Sequence, residues 1–333
     1  ARGPPLTSAA FRPPGEAAPR GAHVVVVGSF SLDLTARAPR MPLVGETILG
    51  TDFQMVPGGK GNNQAVAAAR AGVPTACVGC LGLDDFGEMV LGFATSQGLG
   101  VSHLSTQAGA ATGVAQITVD DSGQNAIVVV PGANWELTPA LVRAAGPLIR
   151  DARVLLTQLE VPLDAVQEAI QLARGAGVRT VLNPAPARPL PDALLAQVDL
   201  CAPNEHEAGQ LTGVSVESPS SALRAAEVLM GRGCRSVVVT LGARGAVYLD
   251  GARRLMVPPL PVRAVDSVAA GDAFCGTLAA HLSRGEDVES ALLKASAAGG
   301  LATTRAGATS SLPTEAEVES LLGAYPQVRV EKL

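Results

Sequence analysis

The chain has 333 residues, 47% apolar and 17% charged, enough for one large α/β domain with an insertion or for two domains, and core size is no constraint. The formal charge is −5, but residues 1–21 carry Arg2, Arg12 and Arg20 against Glu16, so the body beyond them is acidic and unsuited to nucleic acid. Five scattered cysteines form no disulfide framework, four scattered histidines form no zinc triad, and no apolar run approaches the ~20 residues a membrane helix requires. A reducing compartment follows, the cytoplasm or also the nucleus.

Residues 1–21 hold five prolines and no apolar period, which predicts a disordered tail; the same prolines oppose an amphipathic transit helix. VVVV at 24–27 reads as a strand buried on both faces. GSFSLDL follows, so Asp33 is expected just beyond a strand end, where open α/β sheets bind ligands, or as a turn-capping residue. In PGGKGNNQ (57–64) three glycines bracket Lys60, and Asn62 and Asn63 are expected to open a helix that Gly72 stops. The Walker spacing is absent. Bare backbone at Gly59 and Gly61 with the two amides suits a polyhydroxylated substrate, the plainer reading being a Gly-rich turn with a capping Asn.

Cys77 and Cys80 form a CxxC inside a strand-like run without a second pair, which points to neither metal nor redox use. From 112 to 130 the pattern TGVAQITV, DDSG, QNAIVVV predicts a helix-free hairpin. Its alternation places Ala115, Ile117 and Val119 on one face, so an inserted lid could offer a ligand an apolar surface and exclude water. Apolar runs then recur at 153–160, 178–183, 199–204 and 236–240 with helical patterns between them, the signature of a mainly parallel sheet covered on both faces. Their polar ends, Glu160, Asn183, Asn204 with Glu207, and Thr240 with Gly242, should cluster along one edge. GSFSLD lacks GxGxxG, which counts against a dinucleotide site.

AVDSVAAGDAFCGT (264–277) carries the chemistry. Asp266 opens a turn, Ala269, Ala270 and Gly271 are small, and Asp272 stands where an apolar helical pattern begins. Small residues at a helix N-terminus let an anion reach unpaired N–H groups, and a carboxylate beside it can take the proton of an attacking hydroxyl. The plainer reading is an Asp N-cap.

These stretches together resemble the ribokinase-like (PfkB-type) carbohydrate kinases from about residue 23 to 315. PGGKGNNQAVAAARAG is similar to the family's first signature and DSVAAGDAFCGTL to its second; QLE (158–160), NPAP (183–186), PNEHE (203–207), TLGARG (240–245) and TTRAGATSS (303–311) follow in the family's order. GGKG followed by NNQ marks the ribose-phosphorylating branch rather than adenosine kinases or fructokinases. The resemblance implies one kinase domain over 22–325, with lid segments near 33–56 and 111–133 and a short C-terminal end at 326–333. Its fold would be a mainly parallel sheet with helices on both faces plus a small β-sheet lid. The implied activity is ATP-dependent phosphorylation of D-ribose at the 5-hydroxyl; the alternatives are another pentose, 2-deoxyribose, or a non-catalytic sugar-binding relative.

Carried over, the family pattern makes Asp272 the base and the backbone of Ala269, Ala270, Gly271 and Asp272 the anion hole. Ser31, Leu32, Asp33, Gly59, Lys60, Gly61, Asn62, Asn63 and Glu160 would surround the sugar beneath Ala115 and Ile117 of the lid. Asn204, Thr240, Leu241, Gly242, Ala243, Arg244, Gly245, Gly271, Asp272 and Ser296 would face ATP, with Glu207 arranging waters around Mg2+. A K+ ion would be held by Asp266, the Val268 carbonyl, carbonyls near Ala302, Arg305 and Gly307, and Ser311. Three positions depart from the pattern: Ser31 replaces the Asn of bacterial members, Val268 a Thr, and Ser296 a His or Asn near adenine. A homodimer through the lid sheets is implied, with no nucleic-acid or membrane partner.

Overall fold

The computed structural model describes residues 21–333; the expectation of a disordered tail falls, up to residue 20, outside the described residues. Seven parallel strands form the body of a ten-stranded sheet: β1 (Val24–Val27), β4 (Thr75–Gly82), β5 (Gly100–Gln107), β8 (Val154–Thr157), β9 (Arg179–Leu182), β10 (Leu200–Cys201) and β11 (Ser236–Thr240). Beyond β11 the sheet turns antiparallel through β12 (Ala246–Asp250), β13 (Arg254–Val257) and β14 (Glu331–Lys332). The end of the chain thus joins the sheet as an edge strand, in the order β14-β13-β12-β11-β10-β9-β8-β1-β4-β5.

The continuous valines of β1 reflect burial on both faces. Val24 and Val26 face a core built from helices Lys60–Arg70, Ala270–Ser283 and Val288–Ala302, while Val25 and Val27 face helices Leu163–Gly175 and Pro219–Gly231. Strand alternation alone divides the two layers.

A second sheet of four strands has the order β3-β2-β6-β7, with β2 (Ser31–Ala38), β3 (Asp52–Gly58), β6 (Gly113–Asp120) and β7 (Asn125–Val130). The expected 112–130 hairpin is β6 and β7, paired antiparallel. Asp33 follows the end of core strand β1, as expected, and lies inside β2, because the chain leaves β1 and enters the small sheet within four residues. Its parallel pairing with β6 sets Asp33 opposite Ala115 and Thr35 opposite Ile117, so the two lid residues share a face with the carboxylate. The Gly-rich loop differs by one detail: the helix opens at Lys60 rather than at Asn62, because Gly59, at φ 89°, already turns the chain into it.

None of the described helices is long and apolar enough to cross a membrane.

Candidate active site

Helix Ala270–Ser283 begins at Ala269, which has φ 59° and ψ 6° and provides no side-chain cap. It is the one non-glycine among the described residues with a positive φ. Holding an alanine there costs about 1 kcal/mol or more, and it leaves the first-turn N–H groups without a capping side chain. Ala269→Gly is therefore expected to raise stability by about 0.5–1 kcal/mol in urea unfolding, and a loss would mean that the methyl packs usefully.

Asp272 is not a cap. Its side chain is buried and both oxygens accept from helix Lys60–Arg70: Oδ1 from Gln64 Nε2 at 2.9 Å and Oδ2 from Asn63 Nδ2 at 2.9 Å. Burial pushes the Asp272 carboxyl up, while Lys60 and the Asn63 and Gln64 donors pull it back.

The sugar-side residues converge on the same point. Lys60 N donates to Glu160 Oε2 at 3.0 Å, Ser29 Oγ donates to the same oxygen at 2.5 Å, and Gly61 N donates to Ser29 Oγ at 3.3 Å. A Cβ on Gly61 would lie 2.6 Å from both Ser29 N and Ser29 O, so only glycine lets the helix start sit on the turn after β1. Asp33 lies over Gly58, where a Cβ would come 2.3 Å from Asp33 Oδ1. Burial first, then Glu160 and Asp272, push the Asp33 carboxyl up to about 6. Attraction to Asp272 outweighs burial in raising the Lys60 ammonium, with Glu160 and Glu207 adding to it. One cation and four carboxylates therefore share a field.

Ser31 begins β2, paired to Gly58 and Gly113. Two expected contacts are not brought to the cleft surface. Leu32 is wholly buried in the core, and Asn62 is wholly buried with no hydrogen-bond partner for either amide atom among the described residues. At about 100° per residue, Asn63 and Gln64 flank the direction of Asp272 and Asn62 points about 150° away from it.

On the nucleotide side, Asn204 caps helix Glu205–Thr212 in a reciprocal box: Glu207 N donates to Asn204 Oδ1 at 2.8 Å and Asn204 N donates to Glu207 Oε2 at 2.9 Å. Burial raises the Glu207 carboxyl. Asn204 bridges Thr240, after which Gly242–Arg244 form a 3-10 turn leading to Gly245, at φ 86°. Leu241 points into the core, Ala243 is exposed, and Arg244 is engaged by Glu205 at 3.3 Å and by the Glu217 carbonyl. Ser296 Oγ donates to the Pro258 carbonyl at 3.4 Å.

Asp266 joins two segments: Oδ1 accepts from Val268 N at 3.0 Å and Oδ2 from Gly307 N at 2.9 Å. Ser311 is fully buried and its hydroxyl donates to the Ala308 carbonyl at 2.8 Å, Ala302 is buried, and the Arg305 side chain pairs outward with Glu317. This set offers one carboxylate and neutral oxygens, a donor chemistry that fits a monovalent cation. No group of three or more His, Cys, Asp or Glu able to hold a metal occurs among the described residues, so a divalent ion here would depend on ligand oxygens and water.

Sequence reasoning passed over Ser29, Gln64 and Gln158, and gave Asn183 only a place on the polar edge. Gln64 lies inside the NNQ motif and Gln158 follows the apolar run of β8, and both are wholly buried, which requires partners.

An uncapped helix N-terminus beside a buried carboxylate held by amides can receive an anion and accept a hydroxyl proton at one place, as phosphoryl transfer to a small alcohol requires. Comparison with known proteins narrows the class. Residues 22–315 match the pfkB family of carbohydrate kinases, and the chain belongs to that family. It is 39% identical to a ribokinase of Haemophilus influenzae over 299 residues, 90% of this chain and 98% of the relative. It is 40% identical over 311 residues to a bifunctional ribokinase/ribose-5-phosphate isomerase A of Fructilactobacillus sanfranciscensis, covering 93% of this chain but 57% of that longer relative. The structure of Arabidopsis thaliana ribokinase complexed with ribose and ATP superimposes with a TM-score of 0.85 at 30% identity, covering 91% of this chain and 99% of that one.

Proposed function

We propose that this chain transfers the γ-phosphoryl group of ATP to the 5-hydroxyl of D-ribose. The observation that carries the reading is the Asp272 carboxylate, held on both oxygens by amide donors of the GGKGNNQ helix at the start of the uncapped helix Ala270–Ser283. Asp272 takes the hydroxyl proton as the oxygen attacks, and the backbone N–H groups of 269–272 receive the charge of the transferring group. Asp33, Lys60, Asn63 and Glu160 orient the sugar, and Ala115 and Ile117 cover it so that water does not compete. The loop 240–245 and Asn204 hold the nucleotide. Mg2+, bound with the nucleotide and reached through water by Glu207, would neutralise phosphate charge.

The test is ADP release with D-ribose, 2-deoxy-D-ribose, D-fructose and adenosine. D-ribose should give the highest kcat/KM. Turnover highest with adenosine or D-fructose would overturn the reading, and none with any of the four would favour the non-catalytic relative. Ser31 leaves the sugar grip shorter by an amide than an Asn would, so 2-deoxy-D-ribose is the expected second-best substrate.

The cation site belongs to the same reading. Asp266 ties the 266–268 turn to Gly307, and a K+ ion among their oxygens would fix the backbone just ahead of Ala269. K+ is expected to raise kcat/KM severalfold over a bulky organic cation at constant ionic strength, and Val268→Thr should change little because a carbonyl does not depend on its side chain. Equal rates in the two salts would remove the cation from the account.

A homodimer formed through the lid completes the proposal. β7 ends its sheet, and its Ile127, Val128, Val129 and Val130 are exposed by 50%, 62%, 61% and 49%. An apolar edge strand of this kind is normally covered.

A further inference from the structure

Of the two side chains that hold Asp272, Gln64 is itself held, and the order in which it is held begins at the main chain. We propose that Asn183, Gln158 and Gln64 form an amide relay that fixes the Asp272 carboxylate as an acceptor aimed into the cleft, with Gln64 as its positioning residue.

Asn183 Nδ2 donates to the Ala202 carbonyl at 2.9 Å. A carbonyl can only accept, so this contact decides which way the Asn183 amide faces. Its Oδ1 is left toward Gln64, whose Nε2 donates to it at 3.0 Å and donates also to Asp272 Oδ1 at 2.9 Å. Gln64 Oε1 then accepts from Gln158 Nε2 at 2.6 Å. Reversing Gln64 would set its oxygen against two acceptors and its NH2 against another NH2. Each orientation is thus enforced by its neighbour.

The relay is built into the sheet. Gln158, Asn183 and Ala202 directly follow β8, β9 and β10, and Gln64 and Gln158 are fully buried. Gly28 makes room for it, since a Cβ there would lie 2.0 Å from Gln158 Oε1. The charged and titratable groups acting on Asp272 are Lys60, Glu160, Asp33 and Glu207, with the Cys275 thiol on the same helix. Among the described residues its hydrogen bonds come only from Asn63 and Gln64. Two amide donors favour the ionised carboxylate and restrict which lone pairs remain for a hydroxyl proton.

The proposal rests on Asp272 being the proton acceptor, and the test separates the two. Gln64→Glu keeps the shape of the side chain but replaces the donating NH2. Asn183→Leu leaves Asp272 untouched and removes one of the two acceptors that fix the Gln64 NH2. With saturating ATP and D-ribose, Gln64→Glu should move the acid limb of kcat upward by about one pH unit and lower kcat at neutral pH by about 10- to 100-fold. Asn183→Leu should move the limb in the same direction by about half as much, with both KM values within about threefold. The double variant should be no worse than Gln64→Glu alone, because the two act through one contact. A merely structural role would lower activity and melting temperature without moving the limb. An unmoved limb, a change confined to KM, or additive losses would overturn the relay. Should Gln64→Glu fail to fold, the limb of Asn183→Leu decides the question. If Asp272→Asn is inactive and the limbs stay in place, only the relay fails; if Asp272→Asn remains active, the base assignment fails regardless.

Discussion

Asp272→Asn is expected to lose about 10²- to 10⁴-fold in kcat, the usual contribution of a general base, while sugar and ATP still bind within about threefold. The substitution is isosteric, and its one awkward contact can be resolved. An amide at 272 can accept from only one of its two present donors, and its NH2 would then face Asn63 Nδ2 or Gln64 Nε2. Asn63 Oδ1 has no partner among the described residues, so turning the Asn63 amide supplies the acceptor. Gln64 need not move. Stability should hold or rise slightly, since a buried carboxyl whose ionised form is disfavoured by burial has been removed. The checks are steady-state kinetics, binding by calorimetry and a melting curve on one preparation. A variant retaining more than about a tenth of kcat, well outside the general-base range, would show that Asp272 only anchors the helix. Loss of binding would show that the change disturbed the cleft rather than the chemistry.

Much of this arrangement was legible from residues alone, and the reason differs from part to part. β1 could be read because VVVV has one plausible environment, a strand covered on both faces. The hairpin at 112–130 could be read because alternation of period two is local, and the helical N-terminus at 269–272 because small residues precede an apolar period of 3.6. What failed depended on where other segments arrive. Asp33 was read as lying beyond β1, but its place inside a strand was not, because the parallel pairing of β2 with β6, set by a partner about 80 residues away, leaves no mark on SLDL. Asn62 and Asn63 looked equivalent; only the position of helix Ala270–Ser283 separates the one that reaches Asp272 from the one that is sealed inside. The last edge strand, β14, was missed because it is two residues long. Gln64 was passed over for the same kind of reason, since its value lies in Gln158 and Asn183, at distances of 94 and 119 residues along the chain.

That dependence of the site on the distance between two helices makes Gly276→Val the second large effect to expect. Gly276 lies in helix Ala270–Ser283 against helix Lys60–Arg70, where a Cβ would come 2.4 Å from Gln64 O, 2.6 Å from Ala67 Cβ and 3.0 Å from Ala68 N. Two of those atoms are backbone, which cannot turn aside as a flexible side chain would. The helices must therefore separate. Overpacking of this kind costs about 1–3 kcal/mol, the helical propensity gained over glycine returns less than ~1 kcal/mol, and the branched side chain adds atoms to the same contact. A net loss of about 2–3 kcal/mol is expected, read as a lower urea midpoint with an unchanged slope. Activity should fall further than stability implies. Asn63 and Gln64 belong to one helix and Asp272 to the other, so a separation approaching 1 Å stretches both hydrogen bonds at once and is worth about 10²-fold in rate. Gly92→Ala is the control: it also lies within a helix, Asp85–Ser96, but a Cβ there meets nothing within 4 Å. It should stabilise by about 0.5–1 kcal/mol and leave kcat alone. Equal melting temperatures and rates for Gly276→Val and the parent protein would mean that the two helices can shift without disturbing the carboxylate, and the close approach at Gly276 would then have no part in holding the site.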